Sequence, residues 1–181
     1  SAPPLGVLAA VLAVTLHAPF SIMYHLRAYS LTVHERTIHW SRRLDQSMIH
    51  AASALLCLAT SGSWQYFWVN VWYNADCIYR QFLPAVRPRR NQLRLSIAVG
   101  LAYLLPLIRR QLWDVFGQLF MLLVIGFVLF TRYPIGGWSH AAFHLVLALT
   151  PPLLIQAAVR LEASRPALEQ AASCLNAASS T

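Results

Sequence analysis

Windows of about 20 mostly apolar residues recur along this chain, and a window of that length is what an α-helix needs to cross the hydrocarbon core of a bilayer. Six can be placed, at 4–25, 44–62, 64–83, 93–108, 112–131 and 135–159. Hydrophobic residues fill 57% of the chain and charged ones 11%, with a mean hydropathy of +0.51, so lipid rather than water is the main solvent. The expected fold class is therefore an all-α integral membrane protein, a bundle of six visible transmembrane helices within 1–160. A polar tail, 161–181, offers few large apolar side chains and is expected to be disordered. Pro106 and the pair Pro151-Pro152 should end or kink their helices, and the tight turn at Arg109-Arg110 makes a hairpin of 93–108 and 112–131. The first window outruns a secretory h-region and carries polar residues at its far end, which reads as a retained span.

All 14 basic residues are arginine, against 6 acidic ones, giving a net charge of +8. In a soluble chain that would suggest nucleic acid, but these arginines stand in short breaks between apolar runs, where they report topology. Arg27, Arg36, Arg42, Arg43, Arg80, Arg87, Arg89, Arg90, Arg94 and Arg132 flank one set of loops, whereas Arg109, Arg110, Arg160 and Arg165 lie on the other side. The positive-inside rule then puts loops 26–43, 84–93 and 132–135 in the cytoplasm or its equivalent. Cys57, Cys77 and Cys174 form no CxxC pair and imply no disulfide framework.

Polar residues cluster at the arginine-rich end of three spans. Ser21 and His25 are one turn apart at the end of the first, and Asp45 opens the second. His140 and His144, again one turn apart, open the last, so all five fall within about two turns of one interface. Histidine inside a membrane is costly without a partner. His25, His140 and His144 fit a three-histidine zinc site that leaves a fourth tetrahedral position for water, whose pKa zinc lowers toward about 7. Asp45 could take the water's proton and Ser21 could donate a hydrogen bond to a developing oxyanion. The residues between the last two histidines are Ala141, Ala142 and Phe143, which excludes an HExxH protease site.

Ser-x3-His closing one span, Asp opening the next and Ser139-His140-x3-His144 in the last resemble the CREST superfamily, which includes alkaline ceramidases, progestin and adipoQ receptors and hemolysin III-like proteins. The resemblance implies a seven-helix bundle whose first helix is either lacking here or lies upstream of Ser1. It also implies zinc on His25, His140 and His144, Asp45 and Ser21 beside the bound water, and hydrolysis of a lipid amide. Phe143 before the second histidine is closer to the receptor branch.

Two functions from different classes follow. One is a zinc-dependent intramembrane hydrolase of a lipid amide or ester, with a membrane lipid as substrate. The other is a non-catalytic receptor-like protein, or an accessory subunit of a larger membrane complex, in which zinc pins helices together. A haem or proton-transfer protein is a third reading, less suited to histidines gathered beside Asp45. Elsewhere, His17 fits a hydrogen bond behind the metal ligands better than ligation, and His50 faces the same choice. Asp76 and Arg80 read as an i,i+4 ion pair, and Trp64, Trp68 and Trp72 as a packing or interfacial stripe.

Overall fold

The computed structural model describes residues 4–85 and 87–179 and contains helices and turns, with no strand among them. Residues 180 and 181 of the tail lie outside the described residues. In chain order the helices are α1 (Leu5–Ala28), α2 (Val33–Ile38), α3 (Trp40–Ser61), α4 (Trp64–Gln81), α5 (Pro88–Val99), α6 (Leu105–Arg109), α7 (Trp113–Arg132), α8 (Ser139–Leu147), α9 (Thr150–Val159) and α10 (Arg165–Ser179). A π-helical turn, Gly100–Leu104, joins α5 to α6, so Pro88–Arg109 runs as one rod. Each sequence window coincides with a helix or a helix pair.

Four of these are long and apolar enough to cross a membrane: Leu5–Ala28, Pro88–Arg109, Trp113–Arg132 and Ser139–Val159. The windows at 44–62 and 64–83 are helical but too polar to qualify by composition. Much of their polarity is turned inward, although Asp76 and Arg80 of α4 are exposed. On α4, Asn70, Asn74, Cys77 and Gln81 make a stripe at helical spacing and are only 1–2% exposed, while Trp64, Trp68 and Trp72 face outward. The tryptophans are therefore an outer stripe and not a packing one. Helix α3 is enclosed by its neighbours, burying Ser41, Asp45, Gln46, Ser47, His50, Ser53 and Thr60 beside its alanines and leucines.

Small residues set the closest packing. Gly6, Ala9, Ala10 and Ala13 form one stripe of α1, and Ala9, Ala10 and Ala13 join Ala52, Leu56 and Ala59 of α3 and Leu154, Ala157 and Ala158 of α9 in the core. Without large side chains between them, backbones approach closely, which is how helices gain van der Waals contact in lipid. Continued upward at i+4, the same α1 stripe passes from alanine to His17, Ser21 and His25, so the packing face becomes the polar site.

Pro106 accounts for the π turn. Having no N–H, it cannot serve the carbonyls of Leu101 and Ala102 one turn earlier. Those two oxygens are met from outside the helix, by the Tyr66 hydroxyl at 2.9 Å and the Thr60 hydroxyl at 2.6 Å. Pro151 and Pro152 sit in the first turn of α9 and separate it from α8, as the sequence implies. At the end away from the histidines, Arg110 donates to Thr60 O at 2.6 Å and Ala157 O at 3.0 Å, satisfying last-turn carbonyls of α3 and α9.

The tail departs from expectation. Residues Arg165–Ser179 form α10, which packs on the 3-10 turn Glu162–Ser164 just before it. Its Ala, Leu, Glu and Gln supply little to bury but are strong helix formers, so local propensity gives a helix where the lack of apolar bulk suggested disorder.

Candidate metal centre

The turn between α7 and α8 presents the histidine pair. Tyr133 ends α7 in the left-handed region at φ 49°, Gly136 follows at φ 60°, and buried Ser139 accepts the Ile135 N–H at 3.0 Å. That bond fixes the start of α8 and puts His140 in its first turn, with His144 one turn on. Phe143 wedges α8 against α7, its ring lying against Gly126, where a Cβ would stand 3.4 Å from it. The same ring lies 5.3 Å from Phe130, 6.0 Å from His140 and 5.2 Å from His144, centroid to centroid, so the imidazoles are braced on their outer side.

From α1, 115 residues away in sequence, His25 reaches the same point. His140 Nε2 lies 3.4 Å from His25 Nδ1 and 3.2 Å from His144 Nε2, and one nitrogen from each ring falls within 4.8 Å of the others. Two nitrogens bound to one tetrahedral zinc at 2.0–2.1 Å stand about 3.3–3.4 Å apart. The two spacings to His140 Nε2 lie close to that value, and the third pair falls within 4.8 Å. A hydrogen-bond chain explains them less well, because a single proton on His140 Nε2 can serve one neighbouring lone pair and not two. The three histidines could thus hold a metal ion, and all three are half-buried, so the point between them is not sealed.

The other two expected site residues stand apart from the rings. Asp45, 8% exposed, accepts a hydrogen bond from His17 Nε2 at 3.1 Å. It is within electrostatic reach of His25 and His144, though no hydrogen bond joins it to either among the described residues. Ser21 is half-buried on α1, one turn from His17 and one from His25, and its hydroxyl has no hydrogen-bond partner among the described residues. Along the α1 axis, His17 and His25 are about 12 Å apart at about 1.5 Å per residue, and Ser21 lies midway. Asp45 is therefore engaged at the deeper end of this stripe. The sequence places His17 behind the ligands; its pairing with Asp45 depends on how α1 and α3 register.

Other residues settle into structural roles. Asp76 and Arg80 pair at 2.6 Å on the outside of α4. His50 is fully buried and bonds Asn74 at 2.8 Å. The buried amides Asn70, Asn74, Gln81 and Asn91 escaped the sequence reading, although 70, 74, 77 and 81 mark one helical face. Comparison with models of known protein families, with curated proteins and with solved structures returned no match.

Proposed function

We propose that this chain is a zinc-dependent intramembrane hydrolase of the CREST type, cleaving an amide or ester of a membrane lipid. The observation that carries the reading is the convergence of His25, His140 and His144 within 4.8 Å of one another, with two of the spacings close to those of a tetrahedral site, from helices at opposite ends of the sequence. Neutral imidazoles are good zinc ligands, and a three-histidine set leaves a coordination position free. When bound, zinc supplies Lewis acidity and a water acidified toward neutrality.

Asp45, with one carboxylate oxygen held by His17, has its other oxygen free to accept the proton of an attacking water. The unengaged Ser21 hydroxyl is placed to donate to the oxyanion that develops on the scissile carbonyl. In this reading α3 and α4 also cross the bilayer, since their buried amides and hydroxyls face helices, the α4 tryptophans face out and the exposed Asp76–Arg80 pair stands toward the arginine-rich end of α4. Six spans put the site at the arginine-rich, cytoplasmic end, at the depth where a lipid's polar linkage lies. An introduced cysteine at Arg89 should then label from the cytoplasmic face.

A second reading has its own observation. Asp45 is turned to His17 rather than to the three rings, as suits a zinc that merely pins α1 to α8 in a receptor-like protein or an accessory subunit. Purified protein in bilayers, assayed for zinc content and for hydrolysis of a panel of ceramide-like amides and lipid esters, separates the two. The hydrolase binds about one zinc and turns over at least one class, losing turnover on chelation. Bound zinc with no turnover above the chelated control leaves the structural reading.

A further inference from the structure

A second polar site lies in the seam between α3 and α4. Three buried atoms there have no protein partner: His50 Nε2, Ser53 Oγ and Asn70 Oδ1, on residues that are 0%, 0% and 1% exposed. Buried polar atoms are nearly always hydrogen-bonded, so three in one seam call for a common partner.

The helix register brings them together. Antiparallel α3 and α4 are pinned at His50 opposite Asn74, 2.8 Å apart, and at Cys57 opposite Tyr66, whose carbonyl lies 3.7 Å from Cys57 Sγ. Between these two rungs, Ser53 falls opposite Asn70. Each side chain's hydrogen-bonding role is fixed by its other contacts. Asn74 Nδ2 donates to Asn70 O at 2.8 Å, so its Oδ1 accepts the His50 Nδ1–H and leaves Nε2 as a bare acceptor. Asn70 Nδ2 donates to Tyr66 O at 3.0 Å, leaving Asn70 Oδ1 a second bare acceptor. Ser53 supplies one hydroxyl proton, which cannot serve both. Tyr103 of the π turn lies beside Ser53 without reaching good hydrogen-bond geometry to its Oγ.

The seam thus presents two acceptors and one hydroxyl to a small ligand that has two hydrogens to give and a lone pair to receive. We infer that His50, Ser53 and Asn70 bind an ordered water that donates to His50 Nε2 and Asn70 Oδ1 and accepts from Ser53. A buried water makes about three such bonds. An apolar ligand would leave all three groups unsatisfied, and an ammonium would have no lone pair for the serine proton. This node ties α3, which carries Asp45 a turn and a half away, to α4 at a fixed register. It does not depend on metal at the histidine cluster.

Nitrogen-15 spectra of histidine-labelled full-length protein in bilayers test it, with His50 assigned by its loss in His50→Gln. The expected result is a neutral ring protonated at Nδ1 whose Nε2 carries the shift of a hydrogen-bonded acceptor. In Ser53→Ala that shift stays on the hydrogen-bonded side, because the donor is the water and not the serine. An Nε2 that is free in the wild type, one that becomes free in Ser53→Ala, or a ring protonated at both nitrogens each overturns the inference. A structure resolving solvent gives an independent reading on the unaltered protein. Density within hydrogen-bond distance of all three atoms supports the site, and direct contact of Asn70 Oδ1 with either partner overturns it.

Discussion

The histidine cluster and the α3–α4 seam are both polar regions inside an apolar chain, and they differ in how far their groups are closed off. In the seam, His50, Asn70 and Asn74 are sealed; His50 bonds Asn74 across the two helices, and the two asparagines back-bond to carbonyls of α4 itself. At the cluster, one nitrogen from each of three half-buried rings lies within 4.8 Å of the others. A closed polar pair holds a fold; convergent lone pairs at a partly open point are an invitation to a ligand. Equal polarity in the sequence thus supports different roles, and burial with direction decides between them.

The largest expected effects lie at the cluster. His144→Ala should lose zinc and activity together, because two ligands remain where three are needed. Asp45→Asn should keep zinc and helical content, since the amide can still accept from His17, while turnover falls about 10²–10⁴-fold as a positioned base is removed. Metal analysis, circular dichroism and the lipid assay read these outcomes. Equal turnover by Asp45→Asn and the wild type would erase the distinction between a working cluster and a structural seam.

The converse substitution sits in the seam. Asn74→Leu strands the buried His50 Nδ1–H, and an unsatisfied buried donor costs about 1–3 kcal/mol. Thermal unfolding in bilayers should shift down by that amount while zinc content stays at the wild-type level. Loss of zinc without loss of stability would show that the two regions are one site.

How much of this contrast the sequence carries follows from what each region depends on. His140 and His144 share a face by spacing alone, and His25 and Asp45 join them by counting depth from the span ends, so the residues of the cluster were legible. Their spacing was not, because it rests on the Ser139 bond and the Phe143 wedge, which involve a turn with two left-handed residues. The His17–Asp45 pair depends on a register set by alanines, and alanine stripes carry little information on which residue meets which. Spans were read from mean hydropathy, which cannot tell an inward asparagine from an outward one. That is why α3 and α4 drop out of a count made on composition, although Ser41, Ser47 and Ser53 of α3 and the asparagines of α4 lie inside.

A smaller effect comes from the far end of the bundle. Gly62 caps α3 at φ 66°, and a Cβ there would stand 2.7 Å from Leu161 Cδ2. Gly62→Ala forces a left-handed alanine, at roughly 1–2 kcal/mol, while the leucine tip can swing aside. Unfolding should fall within or below that range with zinc and turnover unchanged. A change in turnover would mean that the cluster feels the whole bundle rather than its own two helices.

The smallest effect tests the link between the two regions, α2. Its capping box has Glu35 Oε2 accepting the Thr32 N–H at 2.8 Å and the Thr32 hydroxyl at 2.7 Å. These bonds hold the exposed Glu35 carboxyl below its ordinary value of 4.5. A depressed carboxyl contributes stability above the unfolded value, and that contribution is lost as pH falls through the lower folded one. Acidification from neutral to below 4.5 should therefore lower the protection of the Thr32 and Glu35 amides, with exchange at each pH taken relative to the intrinsic rate of an unstructured chain. Glu35→Gln, which keeps an acceptor but no charge, should remove the pH dependence of that protection. Because the group is fully exposed, water competes for both bonds, and turnover and zinc content at neutral pH should match the wild type in Glu35→Gln. If instead they drop, the linker positions α1 against α3, and the His17–Asp45 contact is set by α2 as well as by the alanine packing below it.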